Sequence, residues 1–270
     1  MASIFAGTAK HIYGSITNYN QKVIKYFCIL FHWLKHMPMN KGDFVLVNYT
    51  VKVKDTDEII DTTIEDIAKK GNIYQKDRIY EPLLLILGEG QLFKKVEEEI
   101  MLMQPGEKKT IELKPEDAFG QRDPAKVKII SAKELTSRGI TPKPGIRVET
   151  DEGIAIVRSV GGGRVVIDLN HPLAGKTLVY EIDVVKKIED LKDKVLSLIH
   201  RRIPSIDISK FTVEINEGRI RIIIPEDAYL LEGLQYMKRG IVNDVQRFIK
   251  DVSKVEFIEV YDVKQKETTT

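Results

Sequence analysis

The chain has 270 residues, 43% of them hydrophobic, which is enough for two or three compact domains with real cores and excludes a fibrous or disordered chain. Forty-two Lys and Arg against 40 Asp and Glu leave a formal charge of +2, so no global field steers it toward nucleic acid or an anionic surface. The single Cys28 excludes an intramolecular disulfide and any Cys-x-x-Cys metal site; no metal and no cofactor are expected, and a reducing cytoplasm is the default.

Residues 26–34 form an apolar run, Tyr-Phe-Cys-Ile-Leu-Phe-His-Trp-Leu, preceded by Lys22 and Lys25. The run is too short to span a bilayer, and no small-residue cleavage site follows it. Three readings stay open for residues 1–38: an amphipathic or interfacial helix, an uncleaved export signal, or an extension from an upstream start with Met37 or Met39 as the natural first residue. Met39-Asn40-Lys41-Gly42-Asp43 leads directly into a strand, which favours the last. A membrane is a partner only if the segment is made, because its apolar face would then need cover.

From residue 44 to 53, Phe44, Leu46, Tyr49, Val51 and Val53 mark an alternating, half-buried strand. A polar turn at residues 55–58 leads to Ile59-Ile60-Asp61-Thr62-Thr63 and a helical pattern over 64–70, in which Asp61 is suited to a turn or a cap. Residues 80–88 read as a buried strand closed by Gly88. Leu92, Val96 and Ile100, with Phe93, give the next helix one apolar stripe. After the turn at Met103-Gln104-Pro105-Gly106, residues 109–113 alternate again. A short strand over 127–130, a short helix over 131–138, the Thr141-Pro142-Lys143-Pro144-Gly145 turn and two strands around Gly161-Gly162-Gly163 follow. The triple glycine is a hairpin turn, since no helix with Lys-Ser/Thr follows to make a phosphate loop. Residues 177–185 alternate cleanly as another strand. Beyond Glu189 the pattern is helix, strand (Phe211, Val213, Ile215), a turn at Asn216-Glu217-Gly218, strand (Ile220, Ile222, Ile224), a long helix and a final strand. The long helix repeats Leu230, Leu234, Met237, Ile241, Val245 and Phe248 at three and four. Residues 264–270 read as a frayed tail.

Two segments carry more information than any of these patterns. Asn170-His171-Pro172-Leu173-Ala174-Gly175-Lys176-Thr177-Leu178, together with Glu116-Asp117-Ala118-Phe119-Gly120-Gln121-Arg122-Asp123, resembles the two ends of the inserted flap in SlyD-like, FKBP-type peptidyl-prolyl cis-trans isomerases. The resemblance covers residue 41 to about 189, with its elements in the family's order. It implies an α+β fold: an FKBP-like curved antiparallel sheet with one packed helix (39–122 and 170–189), an inserted small β-rich flap domain (123–169) and a C-terminal α+β domain (190–264).

The resemblance also implies the site. Tyr49, Asp61, Phe93, Phe119 and Tyr180 fall on the catalytic positions, with the Phe93 backbone N–H as donor to the substrate carbonyl; Ile60, Leu83, Leu92 and Val96 fall on the substrate-binding walls. Ile60, Lys95, Val96 and Phe119 depart from the residues usual there, and Ile60, Val96 and Phe119 keep open the rival reading of a non-catalytic chaperone or assembly module. The implied activity is isomerisation of Xaa-Pro bonds in unfolded or nascent polypeptides, combined with chaperoning through the flap. The C-terminal domain resembles an appendage of long archaeal members and implies a homodimer or a client contact. Arg201-Arg202 and Lys238-Arg239 are basic and the element order is comparable to a KH module, but no Gly-x-x-Gly loop is present, so no nucleic-acid partner is expected.

Overall fold

The computed structural model describes residues 38–262; the apolar run, Cys28 and the C-terminal tail lie outside them. The chain begins with β1 (Phe44–Val53), β2 (Ile59–Thr62), α1 (Glu65–Lys70), β3 (Leu83–Ile86), α2 (Lys94–Met101) and β4 (Lys108–Leu113). It then leaves this unit for β5 (Val127–Ser131), α3 (Ala132–Ser137), β6 (Arg147–Thr150), β7 (Gly153–Gly161) and β8 (Arg164–Asp168), and returns in β9 (Leu178–Ile188). Last come α4 (Leu191–Arg202), β10 (Thr212–Asn216), β11 (Arg219–Ile224), α5 (Leu234–Phe248) and β12 (Lys254–Glu259). The architecture is α+β, with three separate sheets.

The first sheet is antiparallel, in the order β2-β1-β9-β4, with β3 also paired to β1. Val45, Val47, Tyr49, Val51 and Val53 of β1 form one face, closed by Val96 and Ile100 of α2. Phe44 and Leu46 lie on the opposite face, packed with the C-terminal unit. This corrects the expectation that they share a stripe with Tyr49. The start of β1 is covered on both sides, and such a strand reads as a continuous apolar run whose alternation is invisible. Opposite Leu46 and Val47 the β9 register jumps from Lys186 to Val184, leaving Val185 as an exposed bulge. The strand then continues to Ile188, three residues past its expected end.

The second sheet runs β5-β8-β7-β6, all antiparallel, around Leu135, Val148, Val157, Val165 and Ile167. Gly162 and Gly163, at φ 55° and 73°, make the two-residue hairpin turn that joins β7 to β8.

In the third sheet β11 pairs antiparallel with β10 and parallel with β12, with α5 as the crossover. Gly218 turns β10 into β11 at φ 75°, and a Cβ there would lie 2.8 Å from Asp251 O, so only glycine fits. Arg202 of α4 grips Asp244 of α5 through Nε at 2.7 Å and Nη2 at 2.6 Å. This unit docks on the outer face of the first sheet, where Phe44 and Phe248 meet edge to face at 6.3 Å and Arg247 pairs with Glu89. The expected start of the long helix is corrected: Leu230 precedes α5 and is 98% exposed, because Gly233 at φ 77° breaks the helical path before Leu234. No helix among the described residues is long and apolar enough to cross a membrane.

Candidate active site

Asp61 sits on β2, with its carboxylate at the rim of the first sheet's core. Tyr49, one strand over on β1, donates its hydroxyl to Asp61 Oδ2 at 2.7 Å. Arg78 Nη1 donates to Asp61 Oδ1 at 2.7 Å, and the Thr62 N–H reaches the same oxygen at 2.9 Å. Asp61 is thus fixed in orientation from three sides. Burial, and then the hydrogen bond and charge of Asp61, push the Tyr49 hydroxyl well above the usual tyrosine range. Tyr180 is pushed up to about 12, by burial and then by the Asp61 charge. Both hydroxyls therefore stay protonated at neutral pH, so they serve as donors and are no bases.

Four aromatic rings run on from this carboxylate in a line of contacts. Tyr49 and Tyr180 stand 6.3 Å apart, Phe93 meets Tyr180 edge to face at 6.2 Å, and Phe119 meets Phe93 edge to face at 5.2 Å. His171 lies stacked on the outer face of the Phe119 ring. Ile60, Leu83 and Leu92 are half-buried around the same core. Val96 has no exposed surface, so it supports the pocket from beneath and offers a substrate no contact area. Phe93 is the N-cap of α2, and its N–H meets no acceptor among the described residues. A free N–H at a helix start is an anion or carbonyl site in waiting. Among the described residues no group of three or more His, Cys, Asp or Glu is placed to hold a metal ion.

The two flap-end segments meet at the rim. Gly175 N–H donates to Gly120 O at 2.8 Å, Asp123 N–H to Asn170 Oδ1 at 2.9 Å, and Asn170 Nδ2 to Asp123 O at 2.8 Å. Asp168, its side chain fully covered, accepts from Arg122 at 2.6 Å, from Arg158 at 2.8 Å and from the Asn170 side chain at 2.8 Å. Burial alone would raise its pKa. The Asn170 hydrogen bonds, Arg158 and Arg122 outweigh that and hold it at about 2.

Comparison with known proteins decides the family. The chain is 36% identical over 146 residues to the short-type peptidyl-prolyl cis-trans isomerase of Methanocaldococcus jannaschii, covering 54% of this chain and 92% of that protein. It is 30% identical to the FKBP-type 16 kDa peptidyl-prolyl cis-trans isomerase of Escherichia coli K12, over 53% of this chain and 89% of that one. The chain belongs to the FKBP-type peptidyl-prolyl cis-trans isomerases. Helicobacter pylori SlyD, an isomerase of the same type, is 26% identical over 57% of the chain and 78% of its own length. Residues 128–173 match the model of the FKBP26 IF domain, and residues 191–262 that of the FKBP26 C-terminal region.

Three residues of this candidate site carry no signal of their own in the sequence. Arg78 lies in a loop 17 residues beyond Asp61, and nothing in Lys76-Asp77-Arg78 marks it apart from its neighbours. Glu97 reads as part of the polar face of α2, yet it is buried and accepts the Gly88 N–H at 2.9 Å and the Leu92 N–H at 3.1 Å, which fixes the loop leading to Phe93. His171 was in view, inside the second motif, but without a role. Lys95, where the family usually has glycine, pairs with Asp117 at 2.8 Å and ties α2 to the segment carrying Phe119.

Proposed function

We propose that the Tyr49, Asp61, Phe93, Phe119 and Tyr180 pocket catalyses cis-trans isomerisation of Xaa-Pro bonds in unfolded or nascent polypeptides in the cytoplasm, and that the flap holds those chains beside it. Rotation about the peptide bond must cross about 18 to 20 kcal/mol, set by lost amide resonance, and no covalent bond needs to break. A twisted amide is less dipolar than a planar one. A dry aromatic pocket therefore disfavours the planar ground state relative to the transition state. The Phe93 N–H binds one carbonyl and holds that side of the bond while the other turns. Asp61, pinned by Tyr49 and Arg78, supplies orientation and a fixed negative field, with no proton transferred.

The observation that carries this reading is the conjunction of an unpaired Phe93 N–H with a run of four touching aromatics that starts at a carboxylate held from three sides. Ile129 and Ile154, each about two-thirds exposed on the flap, support the chain-holding role, since exposed apolar surface there raises the local concentration of substrate by tethering. Leu230 and Tyr236, almost bare beside the start of α5, support self-association through the C-terminal unit. The test is NMR exchange of a short Xaa-Pro peptide with the chain begun at Met39. Accelerated exchange that falls at least about tenfold in Asp61→Ala, a loss of roughly 1.4 kcal/mol of transition-state stabilisation, supports the reading; no acceleration by the intact chain overturns it.

A further inference from the structure

Strand β3 has one open edge. Its antiparallel ladder with β1 pairs Leu84 with Leu46 and Ile86 with Phe44. Gln91 Oε1 accepts the Ile86 N–H at 2.8 Å, and Gln91 Nε2 donates to Leu84 O at 3.1 Å, so both residues turn their peptide groups away from β1. The Leu84 N–H points to that same side and meets no acceptor among the described residues. Gln91 thus imitates a neighbouring strand along part of the edge, and the remainder is left unpaired.

That edge borders a cleft of about 600 Å³ between the outer face of the first sheet and α4. Its floor is apolar, formed by Leu46, Leu84, Ile188 and Leu196, and its rim carries both charge signs, with Lys186 and Asp193 among them. Leu83 and Arg78 line this cleft and also border the proline pocket, Leu83 on its wall and Arg78 on Asp61. The cleft and the pocket therefore adjoin at one short segment of chain.

From these observations we infer that the cleft takes an extended stretch of the same unfolded polypeptide whose proline is in the pocket, added as a strand to β3 through the Leu84 N–H. Main-chain hydrogen bonding at an open edge supplies affinity without demanding a sequence, and an apolar floor with a mixed-charge rim accepts the varied side chains of unfolded clients. The inference rests on the isomerase reading and deepens it: the substrate is a long chain gripped at two places, and short peptides use the pocket alone.

The test compares a proline tetrapeptide with a reduced, carboxymethylated protein that stays unfolded. Ser197 lines the cleft from α4, and Ser197→Trp should fill it. The variant should isomerise the tetrapeptide at the wild-type rate and lose about fivefold or more in kcat/KM on the long chain, the equivalent of roughly one hydrogen bond. In the unsubstituted protein, amide hydrogen exchange at Leu84 should slow when the unfolded protein is added and stay unchanged with the tetrapeptide. An unchanged Leu84 amide in the presence of bound unfolded protein overturns the inference, whatever the variant does. Absence of tetrapeptide activity would instead strike the isomerase reading, and Leu84 protection would still decide the cleft.

Discussion

The imidazole of His171 lies flat on the ring of Phe119, with centroids 3.9 Å apart and planes 7° from parallel. Its Nδ1 accepts the Leu173 N–H at 3.2 Å, which anchors the ring to the second flap-end segment. Phe119 has no hydroxyl with which to fix itself, so this stack and the edge of Phe93 set its orientation. Removing the imidazole frees the phenyl ring to rotate away from the pocket. His171→Ala should lower kcat/KM on a short proline peptide by roughly three- to tenfold, in line with the loss of one aromatic contact, while thermal unfolding shifts little. An unchanged rate would show that Phe93 alone positions Phe119.

Arg78 and Asp61 are each about one-third exposed, so their ion pair contributes less than about 1 kcal/mol to stability. Its value lies in orientation. Arg78→Ala is expected to reduce isomerase activity severalfold with a nearly unchanged urea midpoint. Tyr49→Phe, which removes a buried donor from the same carboxylate, should reduce both activity and stability, the latter by about 1 kcal/mol. Equal effects of the two substitutions on stability would contradict this division.

Asp168 has a folded-state pKa of about 2, below the ordinary carboxylate value. A depressed acid pKa stabilises the fold above the unfolded-state value, and that contribution disappears as pH falls through the folded-state value. The contribution should be on the order of 2 kcal/mol at pH 7 and drain away between about pH 4 and pH 2. Urea unfolding of the intact chain and of Asp168→Asn across that range should give stability curves that converge toward acid. Curves that stay parallel would rule out Asp168 as the titrating group.

Glu97→Ala leaves the Gly88 and Leu92 amides without their acceptor. Gly88 is exposed and Leu92 half-buried, so water replaces part of what is lost, and a destabilisation of roughly 1 to 2 kcal/mol is expected in equilibrium unfolding. The substitution should also raise KM for a proline peptide more than it lowers kcat, because the loop it releases presents the Phe93 N–H to the ground-state carbonyl.

How much of this was legible in the sequence depended on the range of the interaction. The Gly162-Gly163 hairpin could be read because consecutive glycines at a strand end announce positive φ, and the β10–β11 turn because Asn216-Glu217-Gly218 places a turn-forming Asn and Gly between two alternating strands. The pocket aromatics were reached through the motifs that carry Phe119 and His171. Arg78 could not be read, since a loop cation finds its carboxylate only after the sheet has formed. The side of β1 occupied by Phe44 was hidden because its cover comes from Phe248, some two hundred positions away. Periodicity misled at Leu230, which keeps step with the residues of α5 although Gly233 has already turned the backbone out of line.

The placement of β9 has a consequence for how this protein comes into being. Among the described residues, strand β4 pairs only with β9, and β1 lies against β9 along its whole length, from Phe44 opposite Ile188 to Val53 opposite Leu178. During synthesis that partner does not exist until the entire flap has emerged, so β1 and β4 must wait with an unpaired edge while β5 to β8 collapse locally. Sequence separation of this kind slows folding and lengthens exposure to aggregation. If this chain attends to unfinished polypeptides as proposed, it is itself, until β9 emerges, an unfinished polypeptide of the same kind.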